Sequence, residues 1–238
     1  MKNNDAPHTR KYLAAFAGIL KMVGPVAMGT LLAGIIAFLA AGRFNWTWAW
    51  VYVGITLLSV LVVYPLTMRI DSEAASGRSK AGSKQKGYGI GNAFYLAATY
   101  IALPLVAGLD ERFAWRRDFS TTWHAAGAAV LAAGVALAAW AAATNRYTWS
   151  EVTVQRGQTV CSAGPYRWIR HPAYAGSIIQ ALGVPVLLGS LWALIPGIAV
   201  AVFMIIETHL EDRTLQAALP GYRGYVRKVR FRLVPLIW

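Results

Sequence analysis

The sequence has one cysteine, Cys161, so no intrachain disulfide can form and no disulfide framework can support the fold. Its four histidines, His8, His124, His171 and His209, are too far apart to form a ready-made metal site, and none is expected. Charge is scarce, at 14% of residues, and acidic charge scarcer, with 10 aspartates and glutamates against 23 lysines and arginines. A chain that is 57% hydrophobic, with a mean hydropathy of +0.44, is too apolar for an ordinary soluble domain. The net charge of +13 would suit nucleic acid only if the basic residues formed a continuous patch interleaved with stacking aromatics. They fall between apolar runs instead, which excludes a nucleic-acid partner and makes membrane lipid the surrounding medium.

Those apolar runs lie at about 24 to 41, 46 to 66, 93 to 109, 123 to 143, 173 to 189 and 192 to 208, each near the roughly 20 residues that cross a hydrocarbon core. The expected fold is all-α: a polytopic membrane helical bundle of about six transmembrane helices. A basic segment at Arg10 and Lys11 before an apolar run imitates a secretory signal. Lys21 interrupts that run and hydrophobicity continues to Ala41, so it reads as a retained first helix, kinked at Gly24-Pro25, with Lys21 snorkelling. The fifth and sixth runs, separated only around Gly189-Ser190, form a tight helical hairpin.

Four of the 23 lysines and arginines (Arg43, Arg112, Arg116 and Arg117) fall in loops on one side when the N-terminus is placed inside. The positive-inside rule then sets both termini on the cytoplasmic side, which suits a bacterial inner membrane and equally an endoplasmic reticulum membrane, the compact size leaning toward the former. The stretch 69 to 92, rich in Gly, Ser and Lys, reads as a basic cytoplasmic loop. Its GYGIG run is no dinucleotide fingerprint, because no strand precedes it. The fourth run, HAAGAAVLAAGVALAAWAAATN, consists mostly of small residues that let helices approach closely, which makes it the packing centre. Two regions follow: 1–122, N-terminal transmembrane helices, and 123–238, a membrane core that carries the chemistry.

Chemistry-bearing residues gather after the fourth run. The segment NRYTWSEVTVQRGQTVCSAGPYRWIRHPAYAG places Gln155, Gln158, Tyr166, Arg167, Arg170, His171 and Tyr174 among turns fixed by Gly164-Pro165 and His171-Pro172. Beyond the sixth run, Glu207 and Glu211 stand four apart and share one helix face. Like charges so placed need a cation beside them: Arg167, Arg170 or Arg213 in a network, or a positively charged ligand. From Tyr222 onward, Tyr222, Tyr225, Val226 and Val229 form one side of a short interfacial helix whose arginines lie on anionic headgroups.

Gly164, Tyr166, Arg170-His171-Pro172, Tyr174 and Gly176, followed by Glu211-Asp212, Leu215, Pro220-Gly221-Tyr222, Tyr225 and Pro235, form an ordered series over 145 to 238. In this series the chain resembles the isoprenylcysteine carboxyl methyltransferase and phospholipid methyltransferase superfamily of membrane enzymes. The resemblance implies S-adenosylmethionine as cofactor, contacted by Gln155, Gln158, Thr159, Val160, Cys161, Tyr166, His171, Pro172, Ala173, Tyr174 and Glu211. It implies methyl transfer to a lipophilic or small acceptor: a prenylcysteine-like carboxylate, a phospholipid amine or a thiol. Glu207 and Arg170 are the expected acceptor-binding residues.

Glu211 can balance the cofactor's cationic groups, and Tyr166 and Tyr174 can face them or the adenine. His171 can donate to the carboxylate. Where the similar prenylcysteine enzymes place an arginine against the substrate carboxylate, four residues before the counterpart of Glu211, this chain has Glu207. That reversal points to an amine or another cationic or neutral acceptor, and to low activity on carboxylates. Two alternatives remain at this stage. One is a membrane NADPH-dependent reductase of sterol-reductase type, which would aim Arg167, Arg170 and Arg213 at a phosphate; the other is a non-catalytic membrane protein.

Overall fold

The structure, a computed structural model, describes residues 24, 26–69, 90–115, 119–145, 147 and 157–238, with the backbone alone for 61–69 and 90. The segment before Gly24, Pro25 of the expected kink, the body of the basic loop, and Gln155 lie outside the described residues.

All six apolar runs are helical. In chain order they are α1 (Val26–Ala41), α2 (Thr47–Arg69), α3, α4 (Thr121–Thr144), α5 (Pro172–Leu188) and α6 (Leu194–Ala218). A short α7 (Tyr222–Lys228) follows. Among the described residues there is no strand, only an isolated bridge between Ile169 and Phe231. Three helices, Gly91–Phe113, Thr121–Thr144 and Leu194–Ala218, are long and apolar enough to cross a membrane, and α1, Thr47–Val60 of α2 and α5 are shorter apolar helices. The bundle is that of an integral membrane protein. Its outer faces carry Leu31, Ile35, Leu39, Trp50, Leu58, Val130, Ile198 and Val202 exposed, as lipid contact requires.

Helix α3 runs in three pieces: Ile90–Ala97, a π-helical turn Ala98–Ala102, and Leu103–Phe113. Pro104 explains the interruption. It has no N–H to give, and its ring crowds the carbonyl four residues back, so one widened turn absorbs it without ending the helix.

The closest interface joins α4 and α5, and its cause is the row of small residues. A Cβ on Gly127 would lie 2.2 Å from the Leu187 backbone nitrogen, one on Gly176 2.7 Å from the Gly134 carbonyl oxygen, and one on Gly183 2.9 Å from the Leu131 nitrogen. Gly127, Leu131, Gly134, Ala138 and Ala141 recur every three or four residues and form the buried face of α4. Lipid supplies no hydrophobic drive between helices, so this contact rests on close packing. The hairpin between α5 and α6 turns at Gly189, whose φ of +75° few other residues adopt. There Ser190 Oγ accepts from the Ala193 backbone N–H. His124 Nδ1 lies 2.7 Å from the Leu187 carbonyl, and its ring stacks on Trp48 at 4.5 Å.

Candidate active site

The segment after α4 is folded by its glycines and prolines. Gly164 opens a 3₁₀ turn (Gly164–Arg167) at φ +52°, and a Cβ there would lie 2.6 Å from Thr144 Oγ1, so the turn presses against the end of α4. Buried Pro165 follows, then Tyr166, whose carbonyl accepts the Tyr225 hydroxyl at 2.6 Å. Cys161 Sγ lies 3.7 Å from the Thr144 carbonyl. The chain then runs beside its own C-terminal segment: the Arg170 N–H donates to the Phe231 carbonyl and that of His171 to the Arg232 carbonyl, each at 2.9 Å. Pro172 begins α5.

Asp212, on α6 and fully buried, is the hub of this region. Its Oδ1 accepts from Arg170 Nε at 2.8 Å and from the Tyr222 hydroxyl at 3.0 Å, with His171 Nε2 at 3.4 Å. Its Oδ2 accepts from Gln216 Nε2 at 2.8 Å, Arg232 Nε at 3.0 Å and Arg170 Nη2 at 3.1 Å. A buried carboxylate is tolerable only when so paired. Burial first, then the Asp212 charge, pushes the Tyr222 hydroxyl well above its ordinary pKa, so it remains a protonated donor. Arg170 also donates through Nη1 to the carbonyls of Val229 (2.9 Å) and Arg230 (2.8 Å). One guanidinium thus ties α6 to the segment after α7.

Beside this hub opens a cleft. Gln158, Thr159, Val160, Cys161, Tyr166, His171, Ala173, Tyr174 and Glu211, all expected from the sequence, line it together. Pro172 does not; it is packed away completely as the first residue of α5. His171 sits between two acids, with Nδ1 3.6 Å from Glu211 Oε2 and Nε2 3.4 Å from Asp212. Its ring lies parallel to that of Tyr174, 5.8 Å between centroids. Burial lowers the His171 pKa, but the bonds and charges of Asp212 and Glu211 outweigh it, and the net shift is upward.

Several placements differ from expectation. Arg170, expected to bind the acceptor, lines the cleft with its guanidinium bonded to Asp212 and to the Val229 and Arg230 carbonyls. Arg167 lies over the Trp168 ring and donates to the Gly164 carbonyl. Among the described residues, no lysine or arginine forms an ion pair with Glu207 or Glu211; His171 is the partner of Glu211. Of the three arginines that a reductase would aim at a phosphate, Arg170 is committed to Asp212 and two carbonyls, while Arg167 and Arg213 are exposed. The apolar side of α7 faces protein rather than lipid: Tyr222, Tyr225 and Val229 are buried with Leu219 against Val160 and Leu215, while Arg223, Arg227, Lys228 and Arg230 are exposed.

Asn145, Tyr147, Leu215, Leu219, Tyr222 and Tyr225 also wall the cleft without having been expected there. For Tyr222 and Tyr225 the signal was present as the regular apolar side of α7. The importance of Asp212 lies in a partner 42 residues away, which no local pattern reveals.

The sequence model of the isoprenylcysteine carboxyl methyltransferase (ICMT) family matches residues 126–217, from α4 through nearly all of α6. No curated protein sequence matches the chain. Among solved structures, the chain is similar in fold to a eukaryotic intramembrane Ras methyltransferase, ICMT, solved without a monobody. The TM-score is 0.51 at 15% identity, over 99% of this chain and 88% of that one. The matched residues hold most of the cleft wall and the hub, and over them the chain is similar to the isoprenylcysteine carboxyl methyltransferase family, whose solved member it resembles in fold.

Proposed function

We propose that the cleft beside Asp212 binds S-adenosylmethionine and that the protein transfers its methyl group to a lipophilic or small acceptor arriving from the bilayer. The observation that carries this reading is Glu211: a carboxylate on the cleft wall with two tyrosines nearby and no arginine or lysine paired to it among the described residues. Such a wall suits a cationic ligand. The Gln158 to Cys161 stretch, Tyr166, His171, Ala173, Tyr174 and Glu211 would hold the cofactor, which when bound supplies an electrophilic methyl group on a sulfonium. What the chain itself must do is align, desolvate and balance charge. Tyr166 and Tyr225 close one side, while His171, held by two acids, keeps Glu211 oriented.

The reading extends to topology. Six helical spans, with 123–238 as catalytic core and both termini on the cytoplasmic side, agree with the basic loops and with a site gathered at one end of α4, α5 and α6. The test is calorimetric titration of the detergent-purified protein with S-adenosylhomocysteine and, separately, NADPH. Binding of the first alone is expected, weakened roughly 10- to 100-fold in Glu211→Gln, the range for loss of a charge-assisted contact. NADPH binding without homocysteine binding would overturn the reading.

A further inference from the structure

The chain after α7 closes into a small loop that pairs most of its own backbone donors. The N–H groups of Arg232, Leu233 and Val234 all donate to the Trp238 carbonyl, at 2.8, 3.1 and 3.3 Å. Those of Ile237 and Trp238 donate to the Val234 carbonyl at 3.3 and 3.2 Å, and Pro235 has no N–H to pair. Leu236 makes the turn at φ +69°, a left-handed conformation that leucine rarely adopts. At the tip Leu236 is 88% exposed, Ile237 80% and Val234 46%, and residues 233–238 include no charged side chain. Apolar side chains on a backbone whose donors are already paired suit hydrocarbon, where an unpaired N–H is costly, better than water.

The loop also lies at membrane depth. Leu233 is buried with Ile169 and Ala175, and Leu137 of α4, Ile178 of α5 and Trp238 pack against that cluster. Leu137 stands two turns before α4 ends at Thr144, about 10 Å inboard. With 24 residues, α4 is about 36 Å long and exceeds a hydrocarbon core of about 30 Å by less than that, so Leu137 falls within the core. One turn nearer the end of α4, Trp140 meets Trp168 at 5.5 Å, both about half exposed, as aromatic side chains at a membrane boundary are. Arg227, Lys228 and Arg230, exposed just before the loop, suit anionic headgroups.

We infer that residues 233–238 form a membrane-seated latch: the tip from Val234 to Ile237 is immersed in the leaflet on the cleft side, and this seat holds Arg232 against Asp212. Arg232 Nε donates to Asp212 Oδ2 at 3.0 Å while its guanidinium lies over the Trp238 ring, 4.9 Å from the centroid, so the residue that closes the loop also backs the arginine. The carbonyls of Phe231 and Arg232 accept from the N–H groups of Arg170 and His171, each at 2.9 Å. Tyr174, on the cleft wall, packs against the same cluster as Trp238. Neither Arg232 nor Trp238 lines the cleft, so both are positioning residues. On the methyltransferase reading, a loop kept out of lipid loses its hold on Arg232 and loosens the cofactor cleft.

The test places the full chain in nanodiscs of phosphatidylcholine and phosphatidylglycerol. In a Cys161→Ser background, the fluorophore NBD is attached through Ile237→Cys or, as a water-facing control, Arg227→Cys. Doxyl groups on the lipid chains should quench the label at 237 several-fold more than the label at 227, and aqueous iodide should do the reverse. A label at 237 that is open to iodide, or quenched by neither, would overturn the seat. With Cys161 retained, the pair Leu236→Asp and Ile237→Asp changes only exposed side chains and should weaken S-adenosylhomocysteine binding several-fold by calorimetry, while the apolar pair Leu236→Met and Ile237→Leu should keep the wild-type affinity. Unchanged affinity with the two aspartate substitutions would overturn the coupling to the cleft. An immersed label in a protein that binds no S-adenosylhomocysteine would leave the seat standing and remove the cofactor reading.

Discussion

The α4–α5 interface and the Asp212 hub lie within one turn of each other along α5, yet opposite means hold them. In the first, glycines and alanines bring two backbones together and no charge takes part. In the second, a fully buried carboxylate gathers two arginines, a histidine, a tyrosine and a glutamine from the turn before α5, from α6, α7 and the C-terminal segment. The difference follows from the surroundings. Within lipid, packing is the available source of helix association. Past the last turns of the spans the chain must fold loops, and a directional polar network fixes them beside a small apolar cluster.

The sharpest way to break that comparison is Asp212→Asn. It leaves Arg170 and Arg232 with an uncompensated buried environment and should cost about 3–5 kcal/mol, the range for removing one partner of a buried ion pair. Thermal unfolding in detergent, followed by tryptophan fluorescence, measures it; a loss below about 1 kcal/mol would mean that the hub is not what holds the segment.

Next in size is Gly127→Ala. Its new methyl meets the Leu187 backbone rather than a flexible side-chain tip, so about 1–3 kcal/mol is expected from overpacking, with the α4–α5 crossing pushed apart. Retained stability in the same unfolding assay would show that the two helices can slide without loss.

The hub should also be pH-sensitive where the glycine interface is not. The upward shift of His171 means that its contribution is fully present below the ordinary histidine value of about 6.5 and is lost as pH rises through the higher folded-state pKa. Melting temperature should therefore fall over that interval, and His171→Gln should flatten the slope. A wild-type profile that instead rises there relative to His171→Gln would contradict the assigned direction. The smallest effect is expected at the opposite rim, where Arg43 and Glu111 form an exposed ion pair. Arg43→Ala should change stability by less than about 1 kcal/mol in a denaturation series, because solvent screens such pairs.

Much of the fold was legible because a bilayer imposes run lengths: each of the six apolar runs is a helix, and the Gly189-Ser190 hairpin and the small-residue face of α4 stand where the sequence puts them. The cleft was legible as far as residues are neighbours in sequence, from Gln158 through Tyr174. What local pattern could not yield were pairings across the chain. Arg170 reads as one of three candidate cations for a network until Asp212, Val229 and Arg230 are brought to it. The side of α7 that includes Tyr222 and Tyr225 is regular in the sequence, but its cover by Leu219 and Val160 is not.

The central claim, that the cleft beside Asp212 is where the cofactor sits, can be tested directly through Cys161, the one cysteine of the sequence and part of the cleft wall. The measurement is the rate of Cys161 alkylation by N-ethylmaleimide, read by intact mass, with and without saturating S-adenosylhomocysteine. The account predicts several-fold slower labelling when the ligand is present, with the protection lost in Glu211→Gln at the same ligand concentration. Labelling that proceeds at the same rate although calorimetry shows the ligand bound would place it elsewhere and contradict the account.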